Sequence, residues 1–372
     1  MHKYFAALVA LVAMSRVLGA QDPTPGVDLP TDARSPVTTK SGGFVGLPVI
    51  RSTPTFGFGI GAVGAFLFQL DTMSPQSVVG VGGAYSTTQS WLFAVGGRLY
   101  FQNGARDGAA GATFFNLRYG FFGVGFEDGK ADQSVPITQS GDAQMLNLTG
   151  RLVGPLFVGP QLFHRGVTTT LRDTSGPQNV LALARQSNDY NVNAVGMLAT
   201  YDTRSQRESP NHGTYGEVDA MFARNWIGTD NSYNYYRGWI NQYVDATPLR
   251  SVLAFRITGC SVDRNAPVWE LCLYGVDPDL RGYVAGRYRD RAMFTTQGEL
   301  RTPIVDRLSI NVFAGVGTVG SSFSAVAMDR LLPSSGLGAH YLVSEFYHLN
   351  VGAEVAWGIN GPSFYLRLGD AY

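Results

Sequence analysis

Lysine is nearly missing from this chain: of 28 cationic residues only three are lysine, and charged residues make up 15% of the 372. The 28 acidic residues bring the formal net charge to zero. That balance excludes the concentrated basic surface that a phosphate backbone requires, and with it nucleic acid as a partner. Histidine is also sparse, with five residues. His164, His340 and His348 stand alone in the sequence, His212 sits in a turn, and His2 lies at the extreme N-terminus. No serine motif or metal-ligand spacing accompanies them, so no enzyme, metal site or cofactor is expected. Only two cysteines are present, Cys260 and Cys272. In an oxidising compartment they would form a disulfide bracing the segment between them, and two free thiols are the alternative. Finally, beyond the first twenty residues no apolar run reaches the 18 or so residues of a membrane-spanning helix.

What is abundant is glycine, with 46 residues, and aromatics, at 12%. Both favour sheet over helix. Residues 1–20 read as an export signal: Lys3 supplies the positive start, Tyr4 to Met14 the apolar core, and Ala20 the small residue at the cut. Residues 21–43 carry four prolines and no apolar periodicity, which predicts a flexible periplasmic tether. Residues 44–372 then form one domain.

Within that domain the hydrophobic period is two. In "SWLFAVGGRLYF", Trp91, Phe93, Val95, Leu99 and Phe101 share one face, and Arg98 and Tyr100 the other. "LNVGAEVAWG" sets Leu349, Val351, Ala353, Val355 and Trp357 against Asn350, Gly352 and Glu354. "TYGEVDAMFARNW" sets Val218, Ala220, Phe222 and Trp226 against Glu217, Asp219 and Asn225. Such strands approach the length of about 9–11 residues that crosses a bilayer, whereas soluble strands centre near 5–6. Trp91, Trp226, Trp239 and Trp357 are placed as an interfacial aromatic girdle. An exported chain with long, one-face-apolar strands predicts an all-β fold, a transmembrane antiparallel β-barrel, because only closure satisfies every backbone group in lipid. Fifteen strands are visible from Phe56 onward, and "GFVGLPVIRS" ahead of Pro54 supplies a sixteenth; twelve or fourteen are the fallbacks. An even count puts both chain ends on the periplasmic side, in a bacterial outer membrane.

This count makes Ser261 to Ala292 a long outer connection, and connections of that length are usually functional or disordered. It contains "RGYVAGRYRDR", with four arginines in eleven residues. If the loop folds into the lumen, Arg281 could reach Glu299, which shares a polar face with Gln297 and Arg301 on the next strand. In a solvated loop the arginines would instead pair locally with Asp279 and Asp290.

"DLRGYVAGRYRDR" followed by "GELRTPI" resembles the inward-folded loop and next strand of the BamA- and TamA-type outer-membrane assembly barrels, the bacterial surface antigen superfamily. The matching tip is Arg281, Gly282 and Tyr283, with Glu299 as the acidic lumenal partner. "YDTRSQRESPNHG" resembles that family's periplasmic turn, through Tyr201, Asp202, Arg204, Pro210 and Gly213. "VGAEVAWGINGPSFYLRLGDAY" resembles its closing hairpin, with Phe364, Leu366, Leu368 and Tyr372 as the alternating signature of the closing strand. Two departures stand out. Gly315 occupies a position where members often carry an aspartate that also holds the loop arginine, which leaves Glu299 as the expected sole anchor. Residues 21–43 are too short for a periplasmic POTRA module.

The resemblance implies insertion or translocation of proteins, or of lipids, through an openable seam between first and last strands. Outer-membrane lipids, client outer-membrane proteins and periplasmic accessory proteins would be the partners. The glycines of "FGFGIGAVG" fit either a weakened edge or close lumenal packing. A passive pore gated by the loop, and an adhesive anchor exposing residues 168–188, are the competing readings.

Overall fold

The computed structural model describes residues 43–185, 188–205, 209–246, 250–325, 330–344 and 349–372. The export signal, nearly all of the tether and His348 lie outside the described residues. The first half of the chain forms β1 (Gly43–Thr53), β2 (Gly57–Phe68), β3 (Ser77–Ser86), β4 (Trp91–Phe101), β5 (Arg106–Phe121), β6 (Val135–Val153), β7 (Leu156–Leu171) and β8 (Asp189–Asp202). The second half forms β9 (Gly213–Ala223), β10 (Tyr233–Ala246), β11 (Ser251–Val262), a short ribbon of β12 (Cys272–Leu273) and β13 (Arg289–Asp290), then β14 (Ala292–Val305), β15 (Leu308–Gly320), β16 (Leu332–Ser344), β17 (Leu349–Gly358) and β18 (Gly361–Leu368). Short helices α1 (Phe126–Lys130) and α2 (Gln178–Arg185) interrupt two connections.

All strands but the ribbon join in one closed antiparallel barrel of sixteen strands, each beside its sequence neighbour, with β11 meeting β14 across the ribbon and β18 returning to β1. The alternation that encoded the strands becomes the two faces of the wall. Along β4, Trp91, Phe93, Val95 and Leu99 are exposed, while Ala94 and Tyr100 are buried. Apolar side chains thus line the outer face, and inward ones must find partners within the lumen.

The lumen is filled. Trp269, Leu271, Tyr274, Tyr283 and Tyr288, all from the long β11–β14 connection, pack into one buried cluster with Phe121, Val135, Ile137 and Val192. Trp269 lies 4.8 Å from Phe121, and Tyr274, Tyr283 and Tyr288 meet edge to face at 5.1–6.1 Å. Strands β5, β6 and β7 run 16, 19 and 16 residues. At ~3.4 Å per residue they exceed what the hydrocarbon core needs, and the excess builds the wall against which the loop packs.

Closure is uneven. β17 and β18 pair continuously from Val351–Leu368 to Gly358–Gly361, and β1 and β2 from Gly43–Leu67 to Thr53–Gly57. Between β1 and β18 the register rests on one pair, Ser52 opposite Leu366.

Several expectations need correction. The closing strand ends at Leu368, and Tyr372 does not continue its lipid face: it is buried with Tyr243, Ala254 and Ala371. Gly369, at φ +86°, turns the chain away from the sheet. Trp239 is no girdle residue; the guanidinium groups of Arg237 and Arg256 sit 5.6 and 5.3 Å from its ring on the inward face. β9 stops at Ala223, so Trp226 lies in a short turn beyond it, 77% exposed. The glycines of "FGFGIGAVG" do not form an edge, because β2 is registered on both sides. A Cβ on Gly61 would come within 2.4 Å of the Gly83 carbonyl oxygen, so close strand packing accounts for that glycine.

Candidate lumenal loop and seam

The long connection is fastened at its base and at its tip. At the base, Cys260 of β11 is disulfide-bonded to Cys272, with Cα atoms 5.8 Å apart, and Cys272 pairs with Asp290 in the ribbon. At the tip the chain must pass close to β17. Gly282 adopts φ +103°, and a Cβ there would lie 3.2 Å from backbone atoms of Trp357 and Gly358. Only glycine satisfies both demands. The Gly282 N–H donates to the Tyr365 hydroxyl at 2.8 Å, and the Tyr283 hydroxyl donates to the Pro333 carbonyl at 2.5 Å.

Arg281 is fully buried. Its Nη2 donates to Glu299 of β14 and its Nη1 to Glu354 of β17, the latter at 2.9 Å. Its guanidinium carbon lies 3.4 Å from the centroid of the Phe313 ring, and Gln297 Oε1 accepts from its Nε at 3.4 Å. Burial works against the Arg281 charge, but the carboxylates of Glu299 and Glu354 outweigh it and hold the guanidinium protonated more firmly than in water. The expectation that Glu299 alone anchors Arg281 is therefore corrected: Glu354 is the second acid. Gly315 has its own role, since a Cβ there would meet Leu280 Cδ1 at 2.6 Å and the Thr296 carbonyl oxygen at 2.6 Å. The missing side chain makes room for the loop.

Arg281 is one member of a longer series in which cations and carboxylates alternate. Arg51 of β1 pairs with Asp277 at 3.0 Å, and Asp277 with Arg367 of β18 at 2.6 Å. Arg367 reaches Glu354 at 2.8 Å, and Glu354 reaches Arg281. Arg281 then meets Glu299, Glu299 meets Arg301 at 2.6 Å, and Arg301 meets Asp370 at 3.0 Å. Arg301 also donates to the Tyr372 carbonyl oxygen at 2.7 Å, which explains why the last residues turn inward. His340 is not isolated either; its ring lies 3.0 Å from Glu354 and 3.6 Å from Asp370. Four arginines and four acids thus run from the first strand, through the loop, to the residues after the last strand.

Two further loop acids, Asp279 and Glu270, reach arginines of the wall. Asp279 pairs with Arg237 of β10 and with Arg256 of β11 at 2.8 Å, and Thr258 adds a hydrogen bond at 3.1 Å. Burial raises its pKa, but the two guanidinium groups prevail and hold it below the usual carboxylate range. For Asp279 the alternative of local pairing with the loop's own arginines does not hold. Glu270 pairs with Arg165 of β7 at 3.1 Å; there burial prevails and pushes the carboxyl up. Arg287 reaches Asp132 near α1 at 2.8 Å, and Arg289 lies over Phe121 and Trp269 at 4.9 and 5.8 Å.

The β8–β9 turn touches this series at Asp370, whose Oδ2 accepts from the Ser209 hydroxyl at 3.0 Å. Asp202 takes two bonds from the Arg204 guanidinium at 3.0 Å each, and Arg204 lies 4.2 Å over the Tyr215 ring. Tyr201 is exposed and Pro210 buried. Gly213, at φ +109°, leaves no room for a Cβ against the Thr203 carbonyl. Of the closing-strand residues, Phe364 is exposed and Leu366 and Leu368 half-buried, while Ser363, Tyr365 and Arg367 face inward. Residues that sequence reasoning missed are Arg51, Asp277, Glu354, Tyr365 and Arg367. Arg51, Glu354, Tyr365 and Arg367 were marked only by polarity on the inward phase of a strand, and Asp277, in the loop, carried no such mark.

A closed sixteen-strand barrel with a filled lumen and a single-pair seam defines the class as an outer-membrane β-barrel. Residues 132–359 match the Omp85 superfamily domain, and the chain belongs to that superfamily. Among solved structures it is similar to BamA from Haemophilus ducreyi lacking POTRA domains 1–3, at 14% identity over 88% of this chain and 70% of that one, TM-score 0.59. It is also similar to CdiB from Acinetobacter baumannii, at 13% identity over 89% of this chain and 60% of that one, TM-score 0.58. The chain thus spans less than two thirds of CdiB. No curated protein matches it.

Proposed function

We propose that this barrel inserts proteins into the bacterial outer membrane, or passes them across it, by parting the seam between β1 and β18. The observation that carries this reading is the seam itself, registered at Ser52–Leu366 alone while every other barrel junction is paired over most of its length. An under-paired sheet edge is a template on which another strand can add. Membership of the Omp85 superfamily and the likeness to BamA and CdiB barrels support protein cargo over lipid. In this reading Arg281, Gly282 and Tyr283 hold the loop in the lumen against Glu299 and Glu354, and the loop sets how easily the seam parts. Client outer-membrane proteins and periplasmic accessory proteins are the partners. A passive pore is disfavoured by the aromatic cluster that fills the lumen.

The test is a reversible lock. Ser52→Cys with Leu366→Cys, in a Cys260→Ser, Cys272→Ser background, places the bridge at the registered pair. Locked protein should fail to assemble or export client proteins in reconstituted vesicles, and reductant should restore activity. A locked barrel that works normally would overturn the reading in favour of a pore or anchor.

A further inference from the structure

We infer that the lumen contains a binding site for one small inorganic anion of halide size, with Arg289 of the loop as its principal ligand and Thr55 and Gln139 as further donors. The inference does not depend on the proposed role of the seam.

Arg289 is only 1% exposed. Its Nε donates to the Gly286 carbonyl at 3.1 Å, and the rings of Phe121 and Trp269 lie over its guanidinium. All of these partners are neutral. Among the described residues no carboxylate pairs with Arg289, and its Nη1 has no acceptor within hydrogen-bond distance. Glu270 is engaged elsewhere, by Arg165 at 3.1 Å and by the Tyr190 hydroxyl at 3.1 Å. Burial pulls the Arg289 pKa down, and the Arg165 charge adds to this, opposed by the hydroxyls of Tyr119 and Tyr190. Arg281, buried to the same degree, has two acids. A buried cation without a counter-charge is costly, and buried charges are as a rule paired.

Arg289 lines a cavity between the β1–β2 turn, β5, β6, β7 and the loop. The other polar residues of the lining are Thr55, Tyr119, Gln139 and Arg165, with no acid among them. Thr55 Oγ1 accepts from the Ala285 N–H at 2.9 Å and keeps its own proton to give. Gln139 spends one Nε2 proton on Thr169 at 3.0 Å and has a second, while its Oε1 is taken by the Tyr119 hydroxyl at 2.6 Å. A lining rich in donors, positively charged and free of carboxylates selects an anion over a cation. The cavity volume is about 20 Å³, above the ~10–15 Å³ that one water-sized occupant needs. That admits a monatomic anion and excludes a tetrahedral oxyanion. A water could accept from Nη1 but would leave the charge unbalanced. Because Thr55 belongs to the turn and Arg289 to the loop, the anion would fasten one to the other.

The direct test is a crystal of the unaltered barrel grown in sodium bromide, whose anomalous scattering marks the ion without any substitution. A bromide peak is expected within hydrogen-bond distance of Arg289 Nη1, and a cavity that shows water only would overturn the inference. In solution, the melting of the folded barrel is compared in sodium chloride and in sodium gluconate, whose anion is too large to enter, at equal ionic strength so that screening is the same. Chloride should raise the melting temperature by about 2–4 °C, increasing with its concentration as for any ligand confined to the folded state. Equal melting in the two salts would also overturn the inference. Q139E places a carboxylate of the protein itself at the site, so it should melt in gluconate as the parent does in chloride and lose the dependence on chloride. R289Q should lose the dependence as well. A chloride effect of full size in Q139E would put the ion elsewhere and sink the assignment, and that reading stands even if R289Q does not fold.

Discussion

Arg281 shows what a single buried side chain can hold. It compensates two carboxylates, Glu299 and Glu354, that are themselves fully buried. Removing one partner from such a set typically costs about 3–5 kcal/mol, because the remaining charges stay buried without compensation. R281A should therefore lower the temperature at which the folded barrel converts to the slow-migrating form on gels by several degrees or more, and unchanged mobility and melting would contradict the anchor. R281K should recover little of this, since one ammonium cannot divide between two acids while lying flat on the Phe313 ring. Glu299 was legible in the sequence because it stands on the polar phase of a strand just after the loop. Glu354 stands equally plainly on the polar phase of "LNVGAEVAWG", but its partner lies 73 residues away, a pairing that alternation does not encode. Gly315 was legible only as an absence; that the loop's Leu280 needs the space is a fact of packing.

Apart from the β12–β13 ribbon and one 3-10 turn at Val268–Glu270 the loop has no regular structure, and its order comes from the wall around it. Asp279 ties it to β10 and β11, and the held-down carboxyl sets the sign of a pH effect. A carboxyl whose pKa is lowered by folding adds stability above its unfolded value, near 4, and that contribution is lost as pH falls through the lowered folded value. Acidification below about pH 4 should thus loosen the loop, read as protease cleavage between Cys272 and Arg289 under conditions where the strands remain protected. D279N should make that segment cleavable at neutral pH, and a cleavage pattern independent of both pH and Asp279 would count against the anchoring. The Cys260–Cys272 bond closes a short loop, for which chain entropy suggests about 3 kcal/mol. Reduction should release residues 261–271 before it affects the tip, as hydrogen exchange would show. The strands were readable at this scale because period-two alternation runs through much of the barrel wall, although β5 and β15 each bury several consecutive residues. The turn at Gly369 that takes Tyr372 into the lumen left one trace in the sequence, Asp370, which breaks the apolar phase of Phe364, Leu366 and Leu368.

As a whole molecule the barrel follows from counting: sixteen long strands must close, and an even count brings both ends to the rim of short connections. The stagger at which β18 meets β1 could not be read from sequence, because the two strands lie at opposite ends of the chain and share no turn to set their register. A filled lumen predicts small or absent steady conductance in planar bilayers, and loss of the Arg281 anchor should raise it. A large, loop-independent conductance in the unaltered protein would contradict the packed interior.

The alternating series also has a wet end and a dry end. The Arg51 side chain is 21% exposed, whereas Arg281, Glu299 and Glu354 are essentially sealed. Mobile ions can therefore compete at the seam before they reach the tip. Ionic strength becomes a graded control with a spatial order: moderate salt should loosen the junction of β1 and β18 while the loop tip stays seated, so the barrel gives way from its edge inward.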